Sequence, residues 1–239
     1  MGGEPDLQGK RVLEIGCGYG ELSLYIARAG AAKIIGLDLD AERIDVANQQ
    51  LKDCVDSNGT ENKVEFYCCD PRDLPSSAMF DVVVSRDTLE HIQNVEGVVD
   101  DIVRRLPPCG RLYIGAGPLY RSPYGGHGRM HMWIPWGHLI LPDRFVLYWA
   151  NRYRREEKKA KSIMELGLNK ISVVECARIF NREDLISIRW MINHGDNFIS
   201  RVFKKLSKVN FVREYFAHDI YTVLEKTTNY GITVKNKND

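Results

Sequence analysis

The stretch Val12-Leu13-Glu14-Ile15-Gly16-Cys17-Gly18-Tyr19-Gly20 runs from apolar residues into three alternating glycines and opens onto Glu21-Leu22-Ser23-Leu24-Tyr25-Ile26. Arg11 to Ile15 predicts a strand, and Glu21 to Ala29 predicts a helix with Leu22, Leu24, Tyr25 and Ile26 on its apolar face. Without a Cβ, the glycines let the backbone come close to a ligand. The helix start aims free N–H groups at the same place. A dinucleotide fingerprint needs a third glycine at position 21, which is Glu21 here, and a P-loop needs a Gly-Lys-Ser/Thr that does not follow. Instead an acid, Glu14, precedes the first glycine.

Outward from this loop, short β-branched runs alternate with amphipathic stretches, the pattern of βαβ units and a mostly parallel sheet. Strands are expected at Lys33 to Leu39, Lys63 to Cys69, Asp81 to Ser85 and Arg111 to Ala116. Helices are expected from Ala41 to about Val55 and from Val95 to Leu106, where Pro107 stops the second. After a break at Gly117 to Lys170, Val173 to Asn181 reads as a helix, and Asp184 to Ile192 and Asp219 to Glu225 read as strands. In a doubly wound sheet Glu14, Asp38 and Asp70 fall at three successive strand ends, on the carboxyl edge where ligands bind. Asp38 is placed to accept both hydroxyls of a ribose. Three carboxylates suit a ligand with hydroxyls, amines and positive charge, not a pyrophosphate.

The chain has 239 residues, and one domain is the expectation. Hydrophobic residues at 44% and charged residues at 27% fit a globular protein and not a disordered one. Lysine and arginine total 33 against 32 acidic residues, so a net charge of +1 argues against a generic nucleic-acid binder. No apolar run is long enough to span a bilayer, and Met1 to Lys10 lacks the layout of a signal peptide, so the expected compartment is the cytoplasm. The six cysteines form no CxxC pair and read as reduced thiols.

Val12 to Gly20, Gly36 to Asp40, Asp70 to Pro75 and Phe80 to Ile92 together resemble the ordered motifs of class I S-adenosylmethionine-dependent methyltransferases, in the small-molecule branch of the type 11/12 kind. The resemblance covers most of residues 10–117. It implies an α/β, doubly wound, Rossmann-like sheet of seven strands, mostly parallel with the last strand antiparallel, plus a lid insertion after strand 5. It also implies S-adenosylmethionine as cofactor and S-adenosylhomocysteine as product. By this resemblance Gly16 and Gly18 hold the methionine part, Glu14 steadies its amino end, Asp38 binds the ribose, Leu39 packs on adenine and Asp70 accepts from the adenine amine. The implied cofactor set is completed by Cys17, Tyr19, Gly20, Arg43, Pro71 and Arg86. Pro71 is a departure, because proline has no N–H to offer the adenine ring.

The expected division is a single domain, 1–239, with a cofactor-binding core at 10–117, a lid or acceptor-binding insertion at 118–170, a closing helix and strand pair at 171–226, and a flexible tail at 227–239. Methyl transfer from a sulfonium needs an aligned nucleophile and, for a hydroxyl, removal of a proton. Ser85-Arg86-Asp87-Thr88-Leu89-Glu90-His91-Ile92 lacks the Pro-Pro-aromatic motif of base and amide methyltransferases. Its His91 reads either as a base or as a residue that holds the loop. In the insertion His127 is the favoured base or acceptor-orienting group beside Tyr124, and Tyr120, Tyr124, His131 and Trp133 line the acceptor pocket. The alternative is that these aromatics form the insertion's own small core.

His127, His131 and His138, even with His91, have irregular spacing and no cysteine or carboxylate among them, so no metal is assigned. Asn151 to Lys161, after the apolar residues from Leu139, reads as a solvated basic face, or as a surface over 139–161 for a membrane or an acidic substrate. The leading reading is O-methylation of a small-molecule acceptor. The alternatives are RNA or protein methylation, or a cofactor-binding protein without catalysis.

Overall fold

The computed structural model describes residues 5–54, 59–154 and 158–228. The end assigned to the second helix at Val55, part of the basic run at 155–157 and nearly all of the 227–239 tail lie outside the described residues. Five strands, β1 (Arg11–Ile15), β2 (Lys33–Asp38), β3 (Val64–Cys68), β4 (Val82–Arg86) and β5 (Arg111–Ala116), pair in parallel. The seven-stranded sheet has the order β3-β2-β1-β4-β5-β7-β6. The final strand, β7 (Ile220–Lys226), is antiparallel and lies between β5 and β6 (Leu185–Ile192). The order reverses between β1 and β4, which opens a crevice at their carboxyl ends.

Alternation within β1 shows how a central strand is buried on both faces. Val12 packs with Ile26, Ala27, Ile44 and Ala47 of α1 (Glu21–Arg28) and α2 (Ala41–Asp53). Leu13 packs on the other face with Val99 and Ile102 of α3 (Val95–Arg105) and with Cys176 of α6 (Val173–Phe180). Successive side chains of a strand point to opposite faces, so a continuous apolar run serves both. Helix starts follow local chemistry: Asp40 caps α2 by accepting from Glu42 and Arg43, and Asn94 caps α3 by accepting from Gly97.

The insertion after β5 carries α4 (Gly137–Ile140) and α5 (Asp143–Tyr153) and has a core of its own. Met130, Val146, Ala150, Ile163, Leu166 and Leu168 are buried there with Tyr120. Between β6 and β7 lie α7 (Phe198–Leu206) and α8 (Arg213–Phe216), two helices the sequence reading leaves out. Among the described residues no helix is long and apolar enough to cross a membrane.

Candidate active site

Gly16 and Gly18 sit at φ +75° and +54°, in the left-handed region that glycine enters without penalty. A Cβ on Gly16 would meet Thr88 Oγ1 at 2.0 Å, so this loop lies directly against the end of β4. A Cβ on Gly18 would meet nothing within 4 Å, which marks the open side of the loop. The Gly18 N–H donates to Asp38 Oδ2 over 2.9 Å, and the Asp40 N–H donates to Asp38 Oδ1 over 2.9 Å. The Arg43 guanidinium reaches 4.0 Å from Asp38 and stands over the Tyr19 ring at 5.9 Å. Leu39 is 73% exposed at this rim, an apolar platform beside the carboxylates.

Glu14 is buried and accepts a hydrogen bond from Ser23 Oγ. Burial pushes its carboxyl up to about 7, against the opposing pull of Ser23 and the charge of Arg86. Cys17 is buried beside it, and its thiol is pushed up by desolvation. Asp70 caps the turn that Pro71 opens, and both of its oxygens accept from the Arg72 side chain at 2.7 and 2.9 Å. These bonds hold its carboxyl below the usual range. The missing N–H of Pro71 thus falls at the first position of a turn, where no backbone partner is lost.

A second cluster forms where β4 and β5 end. The turn Leu89–His91 is pinned by Asn169, whose Nδ2 donates to the carbonyls of Leu89 and Ile92, each at 2.7 Å. Glu90 points inward, 3% exposed; its Oε1 accepts from Gly117 N at 3.2 Å, and its Oε2 is buried without a partner. The His91 and His127 rings meet edge to face, with centroids 5.1 Å apart. His91 Nδ1 lies 2.7 Å from the Gly167 carbonyl, and His127 Nε2 lies 2.6 Å from the Pro118 carbonyl. Carbonyls only accept, so both nitrogens carry the proton, leaving His91 Nε2 and His127 Nδ1 as lone-pair atoms. Desolvation pushes His127 down to about 4 and lowers His91.

The remaining expected residues separate. Tyr120 and Gly125 line a small cavity with Glu90 and His127, while the body of Tyr120 packs in the insertion's core. His131 stacks near Tyr153 and lines a different cavity, of about 500 Å³, with Arg129, Glu165 and Gly167. His138 is buried on the carbonyl of Tyr120, 2.6 Å away. Tyr124 and Trp133 are exposed, Trp133 at 94%. Arg86 is exposed beside Asp87, at 3.6 Å. Glu90 and Asn169 carry the cluster but were not singled out in sequence; the Leu-Glu-His run signals the first, and nothing local signals the second.

Residues 13–114 match the family model described as a methyltransferase domain. That match, together with the fold, supports a class I S-adenosylmethionine-dependent methyltransferase domain. The chain is 35% identical over 107 residues to the ribosomal protein L11 methyltransferase of Aliivibrio fischeri (strain MJ11), covering 45% of this chain and 33% of that protein. It therefore spans about a third of the length of the curated relatives it matches. An S-adenosylmethionine-dependent methyltransferase from Mesorhizobium loti superposes with TM-score 0.57 at 15% identity, covering 93% of each chain. The magnesium protoporphyrin IX methyltransferase of Synechocystis PCC 6803, solved with bound S-adenosylhomocysteine, gives 0.56 at 16% identity over 93% of this chain and 76% of that one. These likenesses establish the fold.

Proposed function

We propose that the protein transfers a methyl group from S-adenosylmethionine to a small acceptor, at oxygen, beneath the insertion. The carrying observation is the bond from Gly18 N–H to Asp38, which makes the glycine loop and the β2 acid one preformed cradle. The donor set fits the cofactor: Glu14 suits its ammonium, Asp38 its ribose hydroxyls, and exposed Leu39 the face of its adenine. When bound, this cofactor supplies an electrophilic methyl on a sulfonium. Asp70 meets the adenine edge with the lone pairs that Arg72 leaves free. Gly16, Cys17, Tyr19 and Gly20 shape the methionine pocket, and Arg43 and Arg86 balance the acids.

His127 and His91 are the acceptor-activating pair, since each keeps one lone-pair nitrogen at the end of β4 or in the segment after β5. Tyr124 approaches from the exposed side and Tyr120 lines the acceptor side beside His127, whereas His131 and Trp133, expected there, face a separate cavity and solvent. In this reading residues 10–117 bind cofactor, 118–170 cover the acceptor, 171–226 close the sheet, and the protein works in the cytoplasm. A second reading, methylation of a protein, draws on the likeness to the ribosomal protein L11 methyltransferase.

The test is calorimetric titration with S-adenosylmethionine, then incubation with radiolabelled cofactor and cell extract divided by size. Enzyme-dependent label in a low-molecular-weight product separated from the cofactor by chromatography supports the first reading. Label in protein supports the second, and failure to bind cofactor overturns both.

A further inference from the structure

The cluster of Glu90, His91 and His127 has the composition and the supporting contacts of a metal centre. One ligand atom from each lies within 4.8 Å of the others. Tetrahedral zinc, with bonds of about 2.0–2.1 Å, separates its ligands by roughly 3.3 Å, so donors within 4.8 Å of one another need to draw in by up to about 1.5 Å. Neither imidazole is a free rotor. Metal-bound histidines almost always donate their second ring N–H to a carbonyl or carboxylate, which fixes the tautomer and aims the lone pair. Here His91 donates to Gly167 and His127 donates to Pro118, so each ring is already held in that state.

An independent observation comes from the carboxylate. Glu90 Oε2 is buried with no hydrogen-bond partner, although Oε1 is satisfied by Gly117. A buried polar atom left unpaired is costly and calls for a partner. A cation held by the two imidazoles would supply one.

We propose that Glu90, His91 and His127 bind a divalent transition metal, of which zinc is the probe of choice, with the remaining coordination position open. Two imidazoles and one carboxylate suit zinc, iron and cobalt and leave room for an exogenous oxygen. Resting on the methyl-transfer reading, that position is where the acceptor oxygen would bind and be polarised. The metal would then take over the activating role from the free imidazoles. The set is hidden in sequence because Glu90 and His91 follow β4 whereas His127 lies in the insertion. The spacing of His127, His131 and His138 points elsewhere, and the structure disperses those three.

The full-length protein, stripped with a chelator, is titrated with Zn²⁺ by calorimetry and with Co²⁺ by visible absorption, in the absence of cofactor. One equivalent bound, with the absorption bands of low-coordinate cobalt, is expected. Glu90→Gln, His91→Ala and His127→Ala should each weaken binding by about 100-fold or more, while His194→Ala leaves it unchanged. Affinity for S-adenosylmethionine, measured on the same variants, reports that the cradle is still folded. No stoichiometric binding, or binding that survives all three substitutions, overturns the site. Because the titration needs neither cofactor nor acceptor, a failure of the methyl-transfer reading leaves its result intact, and the converse holds.

Discussion

Asp38 holds the Gly18 N–H with one carboxylate oxygen and the Asp40 N–H with the other, both at 2.9 Å. The acid that faces the crevice is thus also the strut that shapes the glycine loop. Asp38→Ala removes a charged acceptor from both and should weaken S-adenosylmethionine binding by about 2–3 kcal/mol, roughly 30- to 150-fold. Asp38→Asn keeps an acceptor for the loop and should lose less. Calorimetric titration of the two variants checks the order, and equal affinity for Asp38→Ala and wild type would remove Asp38 from the cofactor cradle.

Glu14 carries a pH dependence whose direction is fixed by burial. Its carboxyl rises from 4.5 to about 7 in the folded protein. A raised acid favours the folded state below its unfolded value and loses that advantage as pH climbs to the folded value. Stability should therefore fall between about pH 4.5 and 7, by roughly 3 kcal/mol at most from this group. Glu14→Gln should flatten the profile. A ligand ammonium beside Glu14 favours the ionised carboxylate, so cofactor affinity should rise with pH through about 7 and binding should release a proton. Titrations in buffers of different ionisation enthalpy measure that proton directly.

Arg105 ties the turn after β3 to α3. It is 4% exposed; its Nε donates to Asp101 at 2.6 Å, and its terminal nitrogens donate to the carbonyls of Pro75 and Leu74 at 2.6 and 2.9 Å. Arg105→Met leaves the mostly buried Asp101 with only the exposed Arg104 at 3.3 Å and leaves the carbonyls of Leu74 and Pro75 without their donor, and should cost about 3–5 kcal/mol in urea unfolding. Arg105→Lys should recover part of the loss through its charge, but not the forked geometry. Equal stability of Arg105→Met and wild type would show that the network does not hold the turn.

The fold was legible because β1, β4 and β5 bury both faces and so read as near-continuous apolar runs, while β1, β2 and β4 end sharply at Gly16, Asp38 and Arg86. Arg11–Ile15 and Arg111–Ala116 match the sequence reading to the residue. Strands β6 and β7 were legible by their β-branched content; β7 is antiparallel, as the resemblance implied, and lies between β5 and β6. Helix α7 places Phe198, Ile199, Val202, Phe203 and Leu206 at helical spacing, a signal that the sequence reading leaves out, although none of its residues is buried. At the site, Glu14 and Asp38 were readable as strand-end acids. Asn169 was not, because its role is to bridge carbonyls of Leu89 and Ile92, a contact made only by folding.

The insertion presents an apolar face to solvent that its own core does not use. Helix α5 buries only Val146 and Ala150, one turn apart, and leaves Phe145, Tyr148 and Trp149 exposed; Ile140 and Trp133, earlier in the insertion, are exposed as well. Arg144 and Arg152 lie on the same helix, and Lys158, Lys159 and Lys161 follow it. Aromatic residues with cations at their flank suit the boundary layer of an anionic bilayer. The protein should co-sediment with vesicles containing phosphatidylserine, more weakly with neutral phosphatidylcholine, and less as salt is raised. Tyr148→Glu with Trp133→Asp should abolish sedimentation while cofactor affinity is retained. Binding indifferent to both substitutions would place any lipid contact outside 139–161. No binding to either vesicle would leave this face to an acidic substrate, tested by competition with a polyanion.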